Sequence, residues 1–590
     1  MLDFSHPGDQ VIIIGDGAAE TIIGTSVRDF IQGRGGNDSL NGGLGVDRME
    51  GGDGSDTYFA NVFNDVVFEI NPDLATGGTD TVNFTGTSGT FILSANVERL
   101  FLGGSSAING TGNDLANIIT GNGAANILNG GIDALSDTLT GGLGNDTYII
   151  NSAIDNIVEL VGGGTADRAK VSLSFALAAG DNIEFLETNN AALATLINLT
   201  GNEIAQTITG NAGANVLKGA GGKDVLDGLL AGLDTADFSD KTLAVVATLN
   251  GAVAVNVTVG GVIEDSLRNI ENLTGGTALD SLTGDGLANI LNGGADAQAD
   301  NLRGGLGNDT YIINSATDNI IETVGQGTAD RAKASVSFVL GAADNIEFLE
   351  TTNLFGVGLI NLTGNEIAQT ITGNAAANTL NGGIDALTDT LIGGLGNDTY
   401  VINSLNDNIT ELAGGGTADR ALLATSFALA TGDNIEFMQT TNAAAAVAIN
   451  LIGNEIAQTI IGNAGFNVLL GMLGNDTLTD GLGADHFLFN STLNATTNRD
   501  VITDFNVAAD TILLEDAIFI FIGTPGQALA SNLFKNLTTG GPVDFDDKIL
   551  YDDTSGAMFY DIDGSGAAAA IQFATLTGSP TVDANDFFVI

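Results

Sequence analysis

The sequence has no cysteine and no tryptophan, only five prolines and two histidines, and few basic residues. The lack of cysteine excludes a disulfide framework and thiolate chemistry. Lys and Arg number 17 against 72 Asp and Glu, and the net charge of -55 argues against nucleic acid or an anionic membrane as a natural partner. This charge opposes compaction, yet 44% hydrophobic residues are too many for a disordered chain. Divalent cations would resolve the conflict, so we expect a chain that is expanded without them and compact with them.

Motifs of common enzymes are also missing. His6 and His486 are too few for a His-rich zinc site, and the sequence contains no HExxH, GxSxG or GxxxxGK[ST] motif. Carboxylates are abundant, but their density is explained by the repeats described next and gives no specific evidence for acid/base catalysis. Since the repeats leave no stretch free for a separate catalytic domain, we expect a protein that is not an enzyme.

Glycine, in contrast, is abundant and regularly spaced. Residues 33–59 form three tandem nonapeptides, GRGGNDSLN, GGLGVDRME and GGDGSDTYF, with glycines first, an acid sixth and an apolar residue eighth. Glycine allows positive φ and lets carbonyl oxygens turn toward an ion, and the acids add the hard oxygen ligands that Ca²⁺ prefers. A flexible Gly/Asp-rich linker would show this composition without the phase. The pattern predicts calcium-binding turns, each followed by a short strand. The candidate ligands are Asp38, Asp47, Asp56, Gly33, Gly35, Gly42, Gly43, Gly45, Gly51, Gly52 and Gly54, and the phase continues upstream through Gly24 to add Asp29.

These repeats resemble those of the repeats-in-toxin (RTX) family of bacterial calcium-binding proteins. The resemblance implies that two nonapeptides make one turn of a right-handed parallel β-roll, with ions between the loops of neighbouring turns. An ion would then need carboxylates from repeats two apart. In the first block these pairs are Asp29 with Asp47 and Asp38 with Asp56.

A longer module also repeats along the chain. The phrase GGLGNDTY begins at Gly141, Gly304 and Gly393, and the looser GGDGSDTY begins at Gly51. Each later copy is followed by GTADRA, DNIEF and GNEIAQTI, so the sequence predicts a solenoid. We expect an all-β fold, an elongated right-handed parallel β-roll or β-solenoid with a C-terminal cap. The predicted parts are an N-terminal RTX β-roll block at 1–59, β-solenoid modules at 60–219, an inserted RTX unit at 220–303, further modules at 304–489, and a cap with a type I secretion region at 490–590.

Many repeats carry an amide instead of the sixth-position acid, namely Asn215, Asn289, Asn378, Asn467, Gln206, Gln369 and Gln458. Amides in register can hydrogen-bond as ladders without an ion. Calcium is therefore expected where acids return, although isolated acids could be turn formers that bind nothing. Only Asp280 with Asp300 shows the two-apart partnership cleanly. The candidates are Asp137, Asp146, Asp280, Asp300, Asp309, Asp389, Asp398, Asp476 and Asp485.

One uncharged run, Thr242 to Ile263, is long enough to span a membrane. Its Asn250-Gly251 pair lies between alternating β-branched stretches and indicates a type I′ hairpin or a tight corner, so we predict strands and no membrane insertion. The start, MLDFSHPGDQ, lacks the basic and apolar regions of an ordinary secretory signal.

The repeat pattern changes after Asp485 to alternating strands with acidic turns, which predict a cap over the last turn. This region resembles the C-terminal region, of the serralysin type, through which RTX proteins leave Gram-negative cells by the type I secretion machinery. It ends with an acid followed by apolar residues, Asp586 to Ile590. The phrase DIDGSG at Asp561 is similar to the start of an EF-hand, but position twelve is Gln572 and no flanking helices are predicted, so we reject that site.

Together these features predict a secreted structural protein, extracellular or on the cell surface, that binds Ca²⁺ and forms a homo-oligomer or polymer such as a surface layer, filament or matrix. The alternative is a noncatalytic module that binds cell-surface polysaccharide or mediates adhesion. GTADRA places Arg168, Arg331 and Arg420 at equivalent positions, where they would either form a row for acidic sugars or each pair with the preceding Asp at the surface. A cytolytic toxin is disfavoured because no apolar pore-forming helices are predicted.

Overall fold

The computed structural model describes residues 11–72, 75–541 and 543–590. The first ten residues of the predicted N-terminal block, including His6, lie outside the described residues. The chain divides into two compact units, Met1–Gly305 and Leu306–Ile590. The described residues of both units fold into short β-strands, and the predicted all-β class is confirmed.

The strands of the first unit are mostly three or four residues long. They are β1 Val11–Ile14, β2 Thr21–Ile23, β3 Asp29–Gly35, β4 Ser39–Asn41, β5 Arg48–Asp53, β6 Thr57–Ala60, β7 Val66–Phe68, β8 Thr81–Phe84, β9 Thr90–Ile92, β10 Arg99–Leu102, β11 Asn109–Thr111, β12 Ile118–Thr120, β13 Ile127–Asn129, β14 Thr138–Thr140, β15 Thr147–Ile150, β16 Asn156–Val158, β17 Arg168–Val171, β18 Phe175–Ala176, β19 Phe185–Thr188, β20 Leu199–Thr200, β21 Thr207–Thr209, β22 Val216–Lys218, β23 Val225–Asp227, β24 Thr235–Asp237, β25 Val245–Thr248, β26 Val255–Val259, β27 Val262–Arg268, β28 Asn272–Thr274, β29 Ser281–Thr283, β30 Ile290–Asn292 and β31 Asn301–Arg303.

The second unit continues the same pattern and adds two single-turn 3₁₀ helices, Ser531–Leu533 and Ala584–Asp586. Its strands are β32 Thr310–Ile313, β33 Asn319–Ile320, β34 Arg331–Ala334, β35 Phe338–Val339, β36 Phe348–Thr351, β37 Leu362–Thr363, β38 Thr370–Thr372, β39 Thr379–Asn381, β40 Thr390–Ile392, β41 Thr399–Ile402, β42 Asn408–Thr410, β43 Arg420–Leu423, β44 Phe427–Ala428, β45 Phe437–Thr440, β46 Ile449–Ile452, β47 Thr459–Ile461, β48 Asn467–Leu470, β49 Thr477–Thr479, β50 His486–Phe489, β51 Asp500–Ile502, β52 Thr511–Leu514, β53 Gln527–Ala528, β54 Phe534–Asn536, β55 Ile549–Asp552, β56 Ala557–Tyr560, β57 Ile571–Leu576 and β58 Phe587–Val589.

Within each unit, most strands pair in parallel with the strand two places later in the chain; the exceptions lie around β23–β29 and in the C-terminal region. In the first unit, β1, β3, β5 and β7 form one sheet and the even strands from β2 to β16 form another. Ile31 of β3 lies opposite Met49 of β5, and Leu40 of β4 lies opposite Tyr58 of β6. Two strands and two turns therefore complete one coil, and each unit is a parallel β-solenoid.

The core of each solenoid is a continuous row of central strand residues. A typical three-residue strand buries its middle side chain and leaves the flanking threonines half exposed, as in β14 and β21. This alternation follows from the pleat, which points successive side chains to opposite faces. Leu139 is fully buried and lies opposite Ile119 and Ile157 of the neighbouring turns. Each turn thus covers the apolar residue of the turn before it.

The uncharged run Thr242 to Ile263 forms strands, as predicted. Strands β25 and β27 belong to the parallel stack, and β26 lies between them with antiparallel pairing to both. The tight turn is Gly260-Gly261, where both residues have positive φ, because a type I′ turn requires this conformation twice. Asn250-Gly251 lies in the connection 249–254 between β25 and β26, and of the two only Gly251 has positive φ, +56°. No helix among the described residues is long and apolar enough to cross a membrane.

The C-terminal part of the second unit is a mixed sheet region. Strand β57 pairs in parallel with β51 of the solenoid, and antiparallel β56 and β55 follow it. Strand β58 pairs in parallel with β52, and Phe587 at its start is fully buried. The loop that begins at Asp561 connects β56 with β57, two strands, whereas an EF-hand loop connects helices.

Replacing Leu139 with alanine tests the buried row. Because Leu139 is fully buried between two turns, Leu139→Ala should lower the free energy of unfolding by about 2 to 5 kcal/mol. Urea unfolding in calcium, followed by circular dichroism, measures this change. The control is Leu230→Ala, since Leu230 is 88% exposed and its truncation should change stability by less than about 0.5 kcal/mol. Equal effects of the two substitutions would contradict the burial pattern.

Candidate metal centre

The sixth-position carboxylates of the first block are stacked between consecutive turns. Asp47 Oδ1 accepts the backbone N–H of Asp29 at 2.8 Å. Asp56 Oδ1 accepts the backbone N–H of Asp38 at 2.6 Å. The structure therefore brings together both pairs that the sequence predicts. Each of these aspartates either begins a strand or stands one residue before it, two positions before the buried apolar residue. Residues two apart in a strand point to the same face, so the carboxylate and the apolar side chain both point inward.

In three of these residues the second carboxylate oxygen has no protein partner. Oδ2 of Asp38, Asp47 and Asp56 is buried and accepts no hydrogen bond. A buried charge without compensation is strongly unfavourable, so these atoms require either a proton or a cation. The donor set consists of hard oxygens, which fits Ca²⁺.

The glycines of the repeats leave space beside these oxygens. A Cβ added at Gly24 would lie 2.6 Å from Asp29 Oδ2, and one added at Gly42 would lie 2.5 Å from Asp47 Oδ2. A Cβ at Gly33 would approach Asp38 Oδ2 closely and lie 3.0 Å from the carbonyl oxygen of Gly51. Carboxylate and carbonyl oxygens therefore converge where any larger residue would place its side chain. This arrangement fits a small oxygen-loving cation.

The second and fourth repeat positions have positive φ, which explains the preference for glycine there. The φ values are +81° and +132° at Gly43 and Gly45, and +106° and +123° at Gly52 and Gly54. In the first nonapeptide the fourth position is Gly36, with φ of +93°, and the candidate Gly35 beside it does not have positive φ.

Four acidic triads recur in the modules. In each triad, oxygens of two Asp and one Glu lie within 4.8 Å of one another, and all three residues are buried. The first Asp precedes the strand that contains the module's tyrosine, the Glu follows the next strand, and the second Asp precedes the strand after that. The triads are Asp56–Glu69–Asp80, Asp146–Glu159–Asp167, Asp309–Glu322–Asp330 and Asp398–Glu411–Asp419.

A tyrosine orients the glutamate in three triads. The hydroxyl groups of Tyr148, Tyr311 and Tyr400 donate to Glu159, Glu322 and Glu411, respectively. In the last of these triads, Asp398 Oδ2, Asp419 Oδ2 and Glu411 Oε1 are buried without a hydrogen-bond partner. The hydroxyl thus holds one glutamate oxygen and leaves the other directed to the two aspartates. Three buried carboxylates arranged in this way are consistent with Ca²⁺ binding.

Sequence reasoning found one member of each triad, Asp56, Asp146, Asp309 and Asp398, and missed the other two. The glutamates lie outside the nonapeptide pattern, but each one follows the tyrosine of its module at the same distance of eleven residues, which was a usable signal. The second aspartates of three triads are the Asp residues of the GTADRA phrase, Asp167, Asp330 and Asp419.

The later acids form more pairs than the one, Asp280 with Asp300, that the sequence predicts. Asp300 Oδ1 does accept the N–H of Asp280 at 2.7 Å, but other candidates also have an acidic partner in the next turn. Five partners were missed because their turns are 21 to 25 residues long. Asp155 and Asp407 lie 18 residues on, but they stand outside the glycine-rich nonapeptide pattern. The pairs are Asp137 with Asp155, Asp146 with Asp167, Asp309 with Asp330, Asp389 with Asp407, Asp398 with Asp419, Asp476 with Asp500, and Asp485 with Asp510.

Amide-bearing turns close without an ion, although not as ladders of amides. Asn378 Oδ1 accepts the N–H of Asn374 at 2.7 Å, and its Nδ2 donates to the carbonyl oxygen of Ile360 at 2.8 Å. Asn126 and Asn467 make the equivalent bonds. The amide nitrogen thus meets a backbone carbonyl of the preceding turn. Substitution of Asp by Asn removes both the charge and the need for a cation.

The three arginines of GTADRA do not pair with the preceding aspartates, which face inward. Arg168 pairs with Glu187 at 2.5 Å and lies 4.5 Å from the Phe185 ring centre. Arg331 pairs with Glu350 in the same way, and Arg420 donates to Gln439. Arg331 on β34 and Arg420 on β43 belong to different sheets, so they do not form the row on one face that an acidic sugar would need.

Burial raises the pKa values of the triad carboxyl groups. The pKa rises to about 9 for Glu69 and to about 8 for Glu411, because burial disfavours the charged form and neighbouring carboxylates add repulsion. For Glu411 the hydrogen bond from Tyr400 opposes the rise. Asp80 has a pKa raised to about 7 for the same reason, burial first and Asp56 and Glu98 second. These groups hold protons when no cation compensates their charge.

Comparison with known proteins agrees with the geometry. The family described as RTX calcium-binding nonapeptide repeat (4 copies) matches residues 14–49, 33–67, 200–230, 363–400 and 452–503. The chain therefore contains RTX calcium-binding nonapeptide repeats. The matched segments include the first block and the Asp476 and Asp485 repeats, and they leave the triads of Asp146 and Asp309 outside. No curated protein matches the chain.

Glu411→Gln tests the triads. Glutamine keeps the shape and the bond to Tyr400 but cannot ionise, so calcium should bind about tenfold more weakly at this site. The calcium-free protein should become more stable, because folding no longer requires Glu411 to take up a proton. Isothermal titration calorimetry and calcium-free unfolding measure the two effects. Glu366→Gln is the control, because Glu366 is exposed and lies outside the triads. A loss of stability both with and without calcium would contradict a metal-binding role.

The raised pKa values predict an unusual dependence of stability on pH. Without calcium, folded Glu69 and Glu411 keep protons up to about pH 9 and 8, whereas the unfolded chain loses them near 4.5. The stability of the calcium-free fold should therefore fall as pH rises from about 5 to 9. With saturating calcium the stability should change little above about pH 6, because the calcium-bound fold and the unfolded chain both hold these carboxyl groups without protons. Urea midpoints at pH 5, 7 and 9, in calcium-free buffer and in calcium, measure this difference. Parallel pH curves in the two buffers would contradict it.

Proposed function

We propose that this protein is a secreted calcium-binding structural protein that folds outside the cell into a β-solenoid and assembles into a surface layer, filament or extracellular matrix. The observation that carries the proposal is the recurrence of buried carboxylate oxygens without a protein partner along both units. Because the fold buries so much uncompensated charge, folding and cation binding are one process.

The dependence on a cation supports secretion. RTX repeats are typical of secreted proteins. A chain with a net charge of -55 stays expanded where calcium is scarce, as in the cytosol, and can pass through a narrow channel. We propose export by type I secretion machinery, with folding outside, where calcium reaches the near-millimolar range that extracellular modules use.

We also propose that the protein is not an enzyme. The solenoid strands and the repeated loops occupy most of the described residues, and the carboxylates that could act in acid/base chemistry are stacked in the turns. Their burial beside glycine carbonyl oxygens suits ion binding better than contact with a substrate.

Assembly is supported by apolar side chains that recur at the tips of equivalent loops. Ile132 and Ile384 are 88% and 86% exposed at the tips of the two GGIDAL loops. Val161 and Val324 are 89% and 87% exposed two residues after the triad glutamates. Repeated apolar contacts on a strongly acidic protein would attract other copies only when cations neutralise the charge.

The polysaccharide alternative has weaker support. Its main motivation was a row of arginines, and these side chains are already held by Glu187, Glu350 and Gln439. An acidic glycan would have to compete with these partners.

Electron microscopy of the purified chain, before and after calcium is added to a calcium-free preparation, tests the proposal. We expect expanded particles without calcium, and regular sheets or filaments at near-millimolar calcium. Folded but dispersed particles at every calcium concentration would overturn the assembly role, and an unfolded chain in calcium would overturn the calcium-dependent fold.

Ile132→Asp with Ile384→Asp tests the contact surface. The two charges should abolish ordered assembly without changing calcium-dependent folding, because both side chains are exposed. The matched control is Asn190→Asp with Asn442→Asp, which adds the same charge, one residue in each unit, at loop positions where the side-chain oxygen accepts a backbone N–H that aspartate can also accept. Loss of assembly in both double variants would indicate a general charge effect and contradict contacts through these isoleucines.

A further inference from the structure

The last nonapeptide of the second unit departs from the repeat at its first position. It reads DGLGADHFL, and Asp480 stands where other repeats have glycine. At the equivalent Gly42, any side chain would lie against the carboxylate of its own repeat, 2.5 Å from Asp47 Oδ2. The side chain of Asp480 therefore enters the space that glycine leaves open elsewhere.

Asp480 lies among further carboxylates. Oxygens of Asp480, Asp485 and Asp510 lie within 4.8 Å of one another. Asp480 is only 1% exposed and neither of its carboxylate oxygens has a hydrogen-bond partner, and Asp485 Oδ2 is also buried without one. Such atoms cannot donate to each other while ionised, so the cluster needs positive charge from outside the chain.

The cluster connects the last nonapeptide turn with the chain that leads into the cap. Asp510 Oδ1 accepts the N–H of Asp485 at 3.0 Å, and its Oδ2 accepts the N–H of Asn506 at 2.7 Å. Asp504 accepts from the N–H groups of Asp480 and Gly481 at 3.1 and 3.0 Å. The segment 504–510 thus crosses the acidic cluster immediately before β52, which pairs with the final strand β58.

We propose that Asp480, Asp485 and Asp510 form a separate divalent-cation site that fastens the last repeat turn to the C-terminal cap. It differs from a repeat site in its ligands, because a third carboxylate replaces the open space beside a glycine. More charged ligands increase affinity for Ca²⁺, so this site binds more tightly than the two-carboxylate repeat sites. The site would form whether or not the protein assembles.

The alternative occupant of the cluster is a proton shared between carboxylates, as in paired acids elsewhere. A shared proton would make the cluster independent of calcium. The two cases are distinguished by measuring calcium binding to the cluster directly.

Asp480→Gly tests the proposal, because it restores the glycine of the other repeats and should leave the fold intact. In the full chain at pH 8, equilibrium dialysis with calcium should show that one calcium site weakens at least about tenfold. Hydrogen exchange should show that calcium no longer protects residues 500–514 to the wild-type extent. Asp510→Asn should give the same result, which guards against a folding artefact of one substitution.

The control is Asp114→Asn, which removes an exposed carboxylate outside the acidic clusters and should leave both measurements unchanged. If Asp480→Gly and Asp510→Asn keep the wild-type affinity and protection, the cluster holds a proton and the proposal is overturned. Because dialysis and hydrogen exchange are read on dispersed protein, failure of this site is distinguishable from failure of assembly.

Discussion

The fold depends on carboxylates that connect consecutive turns through one oxygen and leave the other oxygen buried without a protein partner. Asp398 shows both roles of the carboxylate oxygens: Oδ1 accepts the N–H of Asn378 at 2.6 Å, and Oδ2 has no hydrogen bond. The first contact aligns the turns at the inner edge of the loop. The second atom carries charge into a region of low dielectric, where its cost is large unless a cation or proton lies beside it. Parallel strands of three residues cannot offset many such charges alone. The stability of the solenoid therefore depends on the cation concentration and the pH of the solution.

Turns with asparagine or glutamine follow the same backbone path without this dependence. Asn378 and Asp398 lie in adjacent turns of one sheet, and the amide completes its bonds with Asn374 and Ile360. Each unit therefore mixes turns that need a cation with turns that are satisfied by the chain alone. Loss of calcium should act first on the former, which contain the triads, while the amide turns retain their hydrogen bonds. Turns with Asp are thus sensitive to the loss of calcium, and turns with Asn are not.

Much of the fold could be predicted because the nonapeptide phase is strict where the turns are 18 residues long. Asp29, Asp38, Asp47 and Asp56 were paired correctly for that reason. Most later partners were missed because loops of variable length separate them, although the inner strand residues keep their register. Asp167 could have been predicted from its distance to the next buried residue. It lies two positions before buried Ala169, as every sixth-position acid lies before its apolar residue. The pleat therefore points Asp167 inward and Arg168 outward. The triad glutamates follow strands instead of preceding them, and the repeat alone does not predict that position.

The number of strands in a module determines which face its features occupy. In the second unit, Arg331 lies on β34 and Arg420 on β43, nine strands later. Since alternate strands belong to opposite sheets, an odd number moves each feature of the module to the other side of the solenoid. A ligand that binds along one face would therefore meet an equivalent group only in every second module. Contacts between copies have no such restriction, because molecules can approach both faces at once. This geometry favours association through two faces over recognition of a linear glycan along one of them.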